Sequence, residues 1–125
     1  MKYVGIDGDN IGSRLELGFL QNREEEIHLI SKKVDNAILT MAERLQELGM
    51  EVVFSSGDSL LCKGEDLDVE VLTEVIKSQS IAFNFSAGIG NTLRDTYIAL
   101  KYAKTSGKNR VVIFEDSEYK VLKIS

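Results

Sequence analysis

Apolar side chains recur at steps of three and four residues through Ile27, Ile30, Val34, Ile38, Met41, Leu45 and Leu48. That period lines one face of a long amphipathic helix, and Gly49 is placed to end it. Asn22, with Glu25 three residues on, reads as a capping box at its start. Upstream, Tyr3 to Ile6 predicts a short buried strand, closed by the glycine-rich run Asp7-Gly8-Asp9-Asn10-Ile11-Gly12. A short helical turn is expected around Leu15 to Leu20. Downstream, Glu51 to Ser56 and Ser59 to Lys63 are strand-like and separated only by Gly57-Asp58, a tight-hairpin signal. Asp66 or Asp68 then caps a second helix carrying Leu67, Val71, Leu72, Val75 and Ile76. Phe83 to Ile89 alternates as a strand, with Phe83, Phe85, Ala87 and Ile89 on one face. Thr92 with Asp95 caps a further helix, in which Leu93, Tyr97, Leu100 and Ala103 or Lys104 follow helical steps up to Gly107. Arg110 to Phe114 is another strand, and Glu118 to Ile124 a last edge strand.

Strand, helix, hairpin, helix, strand is the βαββαβ order of a ferredoxin-like α+β sheet, here with a helix and strands appended at its end. Direction then places chemistry. If the first strand runs up, the long helix returns down and Glu51 to Ser56 runs up again. Asp7, at the top of the first strand, and Asp58, at the hairpin tip, therefore share one edge of the sheet. The third strand runs down, the next helix up, Phe83 to Ile89 down, and the last helix up. Its final turn brings Lys104, and the following Lys108, to that same edge.

Each of these features has an ordinary explanation when taken singly. Asp in a Gly-Asp turn is common for conformational reasons, the Asp7-Gly8-Asp9-Asn10 run could be a solvated loop, and lysines at a helix C-terminus complement the macrodipole. Their convergence favours a metal–phosphate site. Mg²⁺ (or Mn²⁺) takes one or two carboxylates plus phosphate and water, which Asp7, Asp58 and a backbone carbonyl near Gly8 can supply. Gly8 and Gly12 let the backbone approach a triphosphate with N–H groups aimed at its oxygens. Lys104 and Lys108 would neutralise phosphate as point charges.

Composition narrows the partners. The chain has 125 residues, 43% of them apolar and 28% charged, which fits one domain spanning 1–125 with a real core. Its net charge of −5 argues against a basic face gripping DNA, RNA or an anionic membrane, and suits a small phosphorylated ligand neutralised by metal. The single Cys62 excludes an internal disulfide framework and points to a reducing, cytoplasmic compartment. Neither a signal peptide nor a membrane span is expected. Cys62 reads as a small core residue and His28 as a surface residue with no second ligand. Glu24-Glu25-Glu26 reads as a favourable helix N-terminus. Tyr97 and Tyr102 could be core or could border a base.

The Ser56-Gly57-Asp58-Ser59 hairpin resembles the GGDEF or GGDD turn of palm-domain polymerases and nucleotide cyclases. The segment Ala99-Leu100-Lys101-Tyr102-Ala103-Lys104-Thr105-Ser106-Gly107-Lys108-Asn109-Arg110-Val111 is similar to the C-terminal signature of GGDEF diguanylate cyclases, and Ser86-Ala87-Gly88-Ile89-Gly90 to their preceding strand. With the opening Tyr3-Val4-Gly5-Ile6-Asp7-Gly8-Asp9-Asn10-Ile11-Gly12 and the small size, the chain most resembles the minimal CRISPR polymerases (mCpol), relatives of the polymerase-like subunit of type III CRISPR complexes.

That resemblance implies a palm domain that makes a cyclic di- or oligonucleotide messenger from ATP, with GTP possible, in anti-phage defence. It implies a product-sensing effector protein as partner. It assigns Asp7 and Asp58 as catalytic metal ligands and the Gly8 carbonyl as a third. Nucleotide and phosphate contacts fall on Asp9, Asn10, Ile11, Gly12, Gly57, Ser59, Lys104 and Lys108. Two departures stand out. Ser59 occupies the place of the hairpin's second acid, and Ser56 replaces the first glycine, so a second metal would rest on Asp7 and Asp58 alone. The insertion that reads guanine in diguanylate cyclases is not recognisable, which favours adenine. Since joining two nucleotides needs two triphosphates face to face, one site per chain implies a homodimer. The rival readings are a palm-fold nucleotide hydrolase of the GTP cyclohydrolase kind and a non-enzymatic nucleotide sensor.

Overall fold

The computed structural model describes residues 1–124. Strands β1 (Lys2–Gly8), β2 (Glu51–Ser56), β3 (Ser59–Gly64), β4 (Phe85–Gly90), β5 (Arg110–Glu115) and β6 (Glu118–Lys123) form one sheet in the order β2-β3-β1-β4-β5-β6. β1 is central and antiparallel to both β3 and β4, which gives the first four strands the ferredoxin-like arrangement expected from their order. Helix α4 (Leu93–Thr105) then crosses over to β5, which runs parallel to β4, and β6 turns back antiparallel at the edge.

Helices cover both faces. α1 (Ile11–Leu20), α2 (Glu24–Glu47) and α3 (Val69–Gln79) lie on one side, where Val4, Ile6, Leu60, Cys62, Phe85, Ala87 and Ile89 meet Ile30, Val34, Met41, Leu72 and Ile76. The apolar face read along Phe83 to Ile89 is this face. α4 lies on the other, over Gly5, Gly88 and Gly90. A Cβ at Gly88 would stand 2.3 Å from the Leu100 backbone nitrogen, and one at Gly90 would stand 2.5 Å from that of Thr96. Small residues at alternate positions of β4 thus let a helix settle almost onto the sheet backbone, and all of β4 is buried.

The caps follow local chemistry. The Asp68 carboxylate accepts from the Glu70 and Val71 amides, and the Thr92 hydroxyl accepts from the Asp95 amide. Gly49 (φ 91°) closes α2, with its amide bonded to Gln46 O and that of Met50 to Leu45 O, the paired bonds of a Schellman motif.

Four expectations are corrected. β1 runs on to Gly8, so only Asp9 and Asn10 link it to the next helix and there is no glycine-rich loop. α1 is a full ten-residue helix from Ile11 rather than a turn near Leu15. Asn22 makes no capping box: it is left-handed (φ 56°) and ends α1, with its amide bonded to Phe19 O and the Arg23 amide to Gly18 O. Arg23 is the N-cap of α2 and makes no side-chain cap bond. Finally, Phe83 precedes β4; its buried ring carries the Arg14 guanidinium at 4.5 Å.

Candidate metal and phosphate site

The end of β1 and the tip of the β2–β3 hairpin are tied together by the Gly8 amide, which donates to Asp58 O at 3.0 Å. Asp7 lies opposite Ser59 on β3 and Ser86 on β4. A glycine is required at position 8. A Cβ there would fall 2.6 Å from the Ile11 side chain and 3.2 Å from both Cβ and Oδ2 of Asp58, so the Asp58 carboxyl lies against the bare β1 backbone. Burial raises the Asp58 pKa from its ordinary value, and the neighbouring Asp7 carboxylate raises it further. Its own backbone N–H and the Lys104 ammonium act in the opposite direction. Two acids repel across this edge, the condition in which a bound cation is most welcome.

Lys104, in the last turn of α4, already supplies a cation. Its Nζ lies 3.2 Å from Asp7 Oδ2 and 2.8 Å from Asp9 Oδ1, and it donates to the Gly8 carbonyl at 2.7 Å and the Asp7 carbonyl at 3.2 Å. The Lys108 ammonium donates to Asn10 Oδ1 at 2.5 Å. Asn10 is the left-handed N-cap of α1 (φ 61°), and its side chain does not cap the helix, whose first turn also carries no acidic residue. The α1 N-terminus therefore presents free N–H groups and the positive end of its dipole beside the two lysines.

The structure thus brings Asp7, Gly8, Asp9, Asn10, Ile11, Gly12, Gly57, Asp58, Ser59, Lys104 and Lys108 to one edge of the sheet. Within that edge their situations differ. Ile11 is a core side chain, so only its backbone is available. Gly12 is open, with nothing within 4 Å of the point where a Cβ would stand. Gly57 (φ 57°) shapes the hairpin tip. Ser59 donates a hydrogen bond to Asp7 Oδ1, so it occupies one oxygen of that carboxylate rather than offering a second acid. Asp9, expected on the nucleotide, is turned inward: its side chain is 3% exposed and bonded to Ser86, Lys104 and the Asn109 amide. Tyr102 stacks on Tyr119, with centroids 3.9 Å apart, and so belongs to the packing under β6. Cys62 is buried in the core and His28 exposed, as read from the sequence.

Sequence reasoning missed a cavity of about 260 Å³ that opens beside Asp58 and is lined by Ile11, Gly12, Leu15, Ser31, Val34, Asp35 and Gly57. Ser31 and Asp35 are spaced i, i+4 on the exposed flank of α2, next to Val34, and that spacing was the available signal. A larger cavity of about 680 Å³ lies between α3 and the end of β6, lined by Arg44, Asp68, Glu74 and Lys123 among others. It contains none of the residues of this edge.

Among the described residues no cluster of three or more His, Cys, Asp or Glu side chains is placed to hold a metal. The donor set is two carboxylates and the Gly8 carbonyl, which Lys104 shows to be directed into the site. That set fits Mg²⁺ or Mn²⁺, which complete their shell with water and substrate phosphate, and does not fit a closed protein cage. Among the described residues no helix is long and apolar enough to cross a membrane.

A family model described as "mCpol: minimal CRISPR polymerase domain" matches residues 3–114. Comparison with curated proteins found no match. Among solved structures, the chain is similar to a diguanylate cyclase/phosphodiesterase from Caldicellulosiruptor saccharolyticus (TM-score 0.62, 20% identity, covering 95% of this chain and 78% of that one). It is also similar to the active GGEEF domain of a diguanylate cyclase from Vibrio cholerae (TM-score 0.59, 19% identity, covering 93% and 83%). At these identities the likeness establishes the fold, a nucleotide cyclase-like palm.

Proposed function

The chain belongs to the minimal CRISPR polymerase (mCpol) domain family, and on that premise we propose that it is a metal-dependent nucleotidyltransferase making a cyclic di- or oligonucleotide from ATP in anti-phage defence. The observation that carries this reading is the Lys104 ammonium held between the Asp7 carboxylate and the Gly8 carbonyl, beside Asp58. Those oxygens support a cation site at the end of β1, where Lys104 would keep its bond to Asp9 and turn its ammonium from Asp7 and Gly8 toward phosphate.

Asp7, Asp58 and the Gly8 carbonyl would hold Mg²⁺ or Mn²⁺. When bound, such an ion neutralises phosphate charge and lowers the pKa of an attacking hydroxyl. The chain's own groups do the rest. Lys104 and Lys108 take the outer phosphates, and the α1 N-terminus at Ile11 and Gly12 offers N–H groups to their oxygens. The cavity walled by Leu15 and Val34 takes the base, with Ser31 and Asp35 at its polar side to accept from an exocyclic amine. The reaction is in-line attack of a ribose hydroxyl on an α-phosphorus: a new O–P bond forms, the bond to the bridging oxygen breaks, pyrophosphate leaves and the hydroxyl proton is released. Positioning and charge neutralisation supply most of the rate. Two such sites facing each other across a homodimer would present the two triphosphates that ring closure needs.

Incubation with ATP, GTP and Mg²⁺ followed by mass spectrometry of the products tests the reading. A cyclic product that disappears in Asp58→Ala is expected. No cyclic product from the wild type, or full activity in Asp58→Ala, overturns it. Ser59 favours one second reading, a nucleotide sensor, because the hairpin's second acid is replaced by a hydroxyl bound to Asp7. Tight ATP binding without turnover at any metal concentration would identify that case.

A further inference from the structure

We propose that Asp9 is a positioning residue, whose buried carboxylate fixes Lys104 and the Lys108–Asn109 turn so that both ammonium groups stand at the β1–α1 junction. The inference rests on the reading of Lys104 and Lys108 as phosphate contacts.

Three features carry it. First, Asp9 is an almost fully buried acid, 6% exposed, and both its oxygens are engaged. Its Oδ1 accepts from Ser86 Oγ at 2.7 Å and from Lys104 Nζ at 2.8 Å, and its Oδ2 accepts from the Asn109 amide at 2.9 Å. A buried ion pair adds little net stability over apolar packing, so this one is better explained by the geometry it enforces. Second, the turn it holds is strained. After Gly107 (φ 136°), Lys108 and Asn109 both take left-handed φ, 61° and 49°; asparagine adopts that region readily, whereas lysine rarely does, so the strain falls on Lys108 and surrounding contacts must hold it. Those contacts are the Lys108 amide on Ala103 O (2.9 Å), the Asn109 amide on Asp9 and Ser86, and the Arg110 guanidinium on Lys108 O (2.9 Å). Third, the acid joins four segments: the β1–α1 link, β4 through Ser86, α4 through Lys104, and the turn into β5. Without it, Lys104 would have only carbonyls and the shared Asp7, and the residue after Lys108 would lose the shorter of the two bonds its amide makes to Asp9 and Ser86.

Asp9→Asn is the discriminating change. The carboxylate accepts on both oxygens, whereas a carboxamide has one acceptor and an NH₂. Whichever way it flips, a donor faces either the Lys104 ammonium or the Asn109 amide. Tripolyphosphate binding to the full chain, measured by calorimetry without divalent metal, is expected to weaken roughly tenfold or more, as for loss of a hydrogen bond to a charged group. The Asn109 amide should lose hydrogen-exchange protection while amides of β1 and α2 keep theirs, a pattern that general destabilisation would not produce. Ser86→Ala, which removes one donor to Asp9 and one acceptor for Asn109, should weaken binding about threefold, and it decides the matter if Asp9→Asn does not fold. The paired Lys104→Met, Lys108→Met variant reports on the underlying reading. If it loses binding while folded Asp9→Asn and Ser86→Ala bind within about twofold of wild type, the positioning role is wrong and the phosphate reading stands. If it binds tripolyphosphate like the wild type, the phosphate reading fails, and the inference with it.

Discussion

Gly88→Ala should separate α4 from the sheet and, through it, disturb the site. The added methyl would lie 2.3 Å from Leu100 N, 2.6 Å from Thr96 O and 2.8 Å from Leu100 Cα. Unstrained contact begins near 3.5 Å, so the helix must retreat by about 1 Å. Every obstacle is backbone, and no change of rotamer relieves it. A gap of that size forfeits a quarter to a half of each dispersion contact between α4 and the sheet, including those of the fully buried Ala99 and Ala103 with Val112. Overpacking typically costs 1–3 kcal/mol, and with no side chain able to yield we expect about 3 kcal/mol. That is a large share of the 5–15 kcal/mol typical of a domain, and corresponds to a fall in melting temperature of roughly 10 °C. Urea unfolding read by circular dichroism gives the number directly, and an unchanged slope shows that the folded state is otherwise intact. A loss below about 0.5 kcal/mol, the range of ordinary surface changes, would refute the packing argument. A second consequence separates packing from site. The Lys104 ammonium is only 2.7 Å from the Gly8 carbonyl, so a retreating α4 should also weaken tripolyphosphate binding in the folded variant. Full destabilisation with unaltered binding would show that the two are not coupled.

Gly12→Ala should do the reverse: open space surrounds that position in α1, so thermal stability should hold or rise by up to about 1 kcal/mol while calorimetric ATP affinity falls. Unchanged affinity would remove the α1 N-terminus from the binding site. Burial pushes the Cys62 thiol from an ordinary 9.0 up to about 11, so between those values the folded chain keeps a proton that the unfolded chain releases. Stability should therefore fall as pH rises through that window. Urea titrations at stepped pH should show the slope in wild type and its loss in Cys62→Ala, with no contribution from this thiol below pH 9.

Where structure is local, the sequence was sufficient. α2 declares itself by seven apolar residues on one face and a glycine stop, and Asp68 and Thr92 cap by side-chain bonds within three residues. Strand direction alone placed Asp7, Asp58, Lys104 and Lys108 together. The misreadings come from residues whose conformation is decided by distant partners. Gly8 looked like a chain breaker, but its missing side chain makes room for Ile11 and Asp58 while the strand continues. Asn22 and Glu25 had the right spacing for a capping box. Once α1 ends at Leu20, however, Asn22 becomes the left-handed residue that closes it, a role asparagine tolerates well. The glycines of β4 read as a likeness to a known strand, and only the depth of α4 gives them a reason.

The two acids of Asp7-Gly8-Asp9 show what a strand boundary costs a site assignment. With β1 ended at Ile6, both fall in a loop and either can be a ligand. With β1 extended to Gly8, the period-two rule puts Asp7 and Asp9 on one face, beneath the last turn of α4, where both meet Lys104. What then separates them is depth, which no spacing reveals. The Asp7 side chain is 30% exposed and reaches solvent beside Asp58, whereas the Asp9 side chain is 3% exposed and has both oxygens engaged by the protein. On the proposed reading, the acid that reaches water would exchange the ammonium for a metal ion, and the acid sealed behind that ammonium would hold it in place.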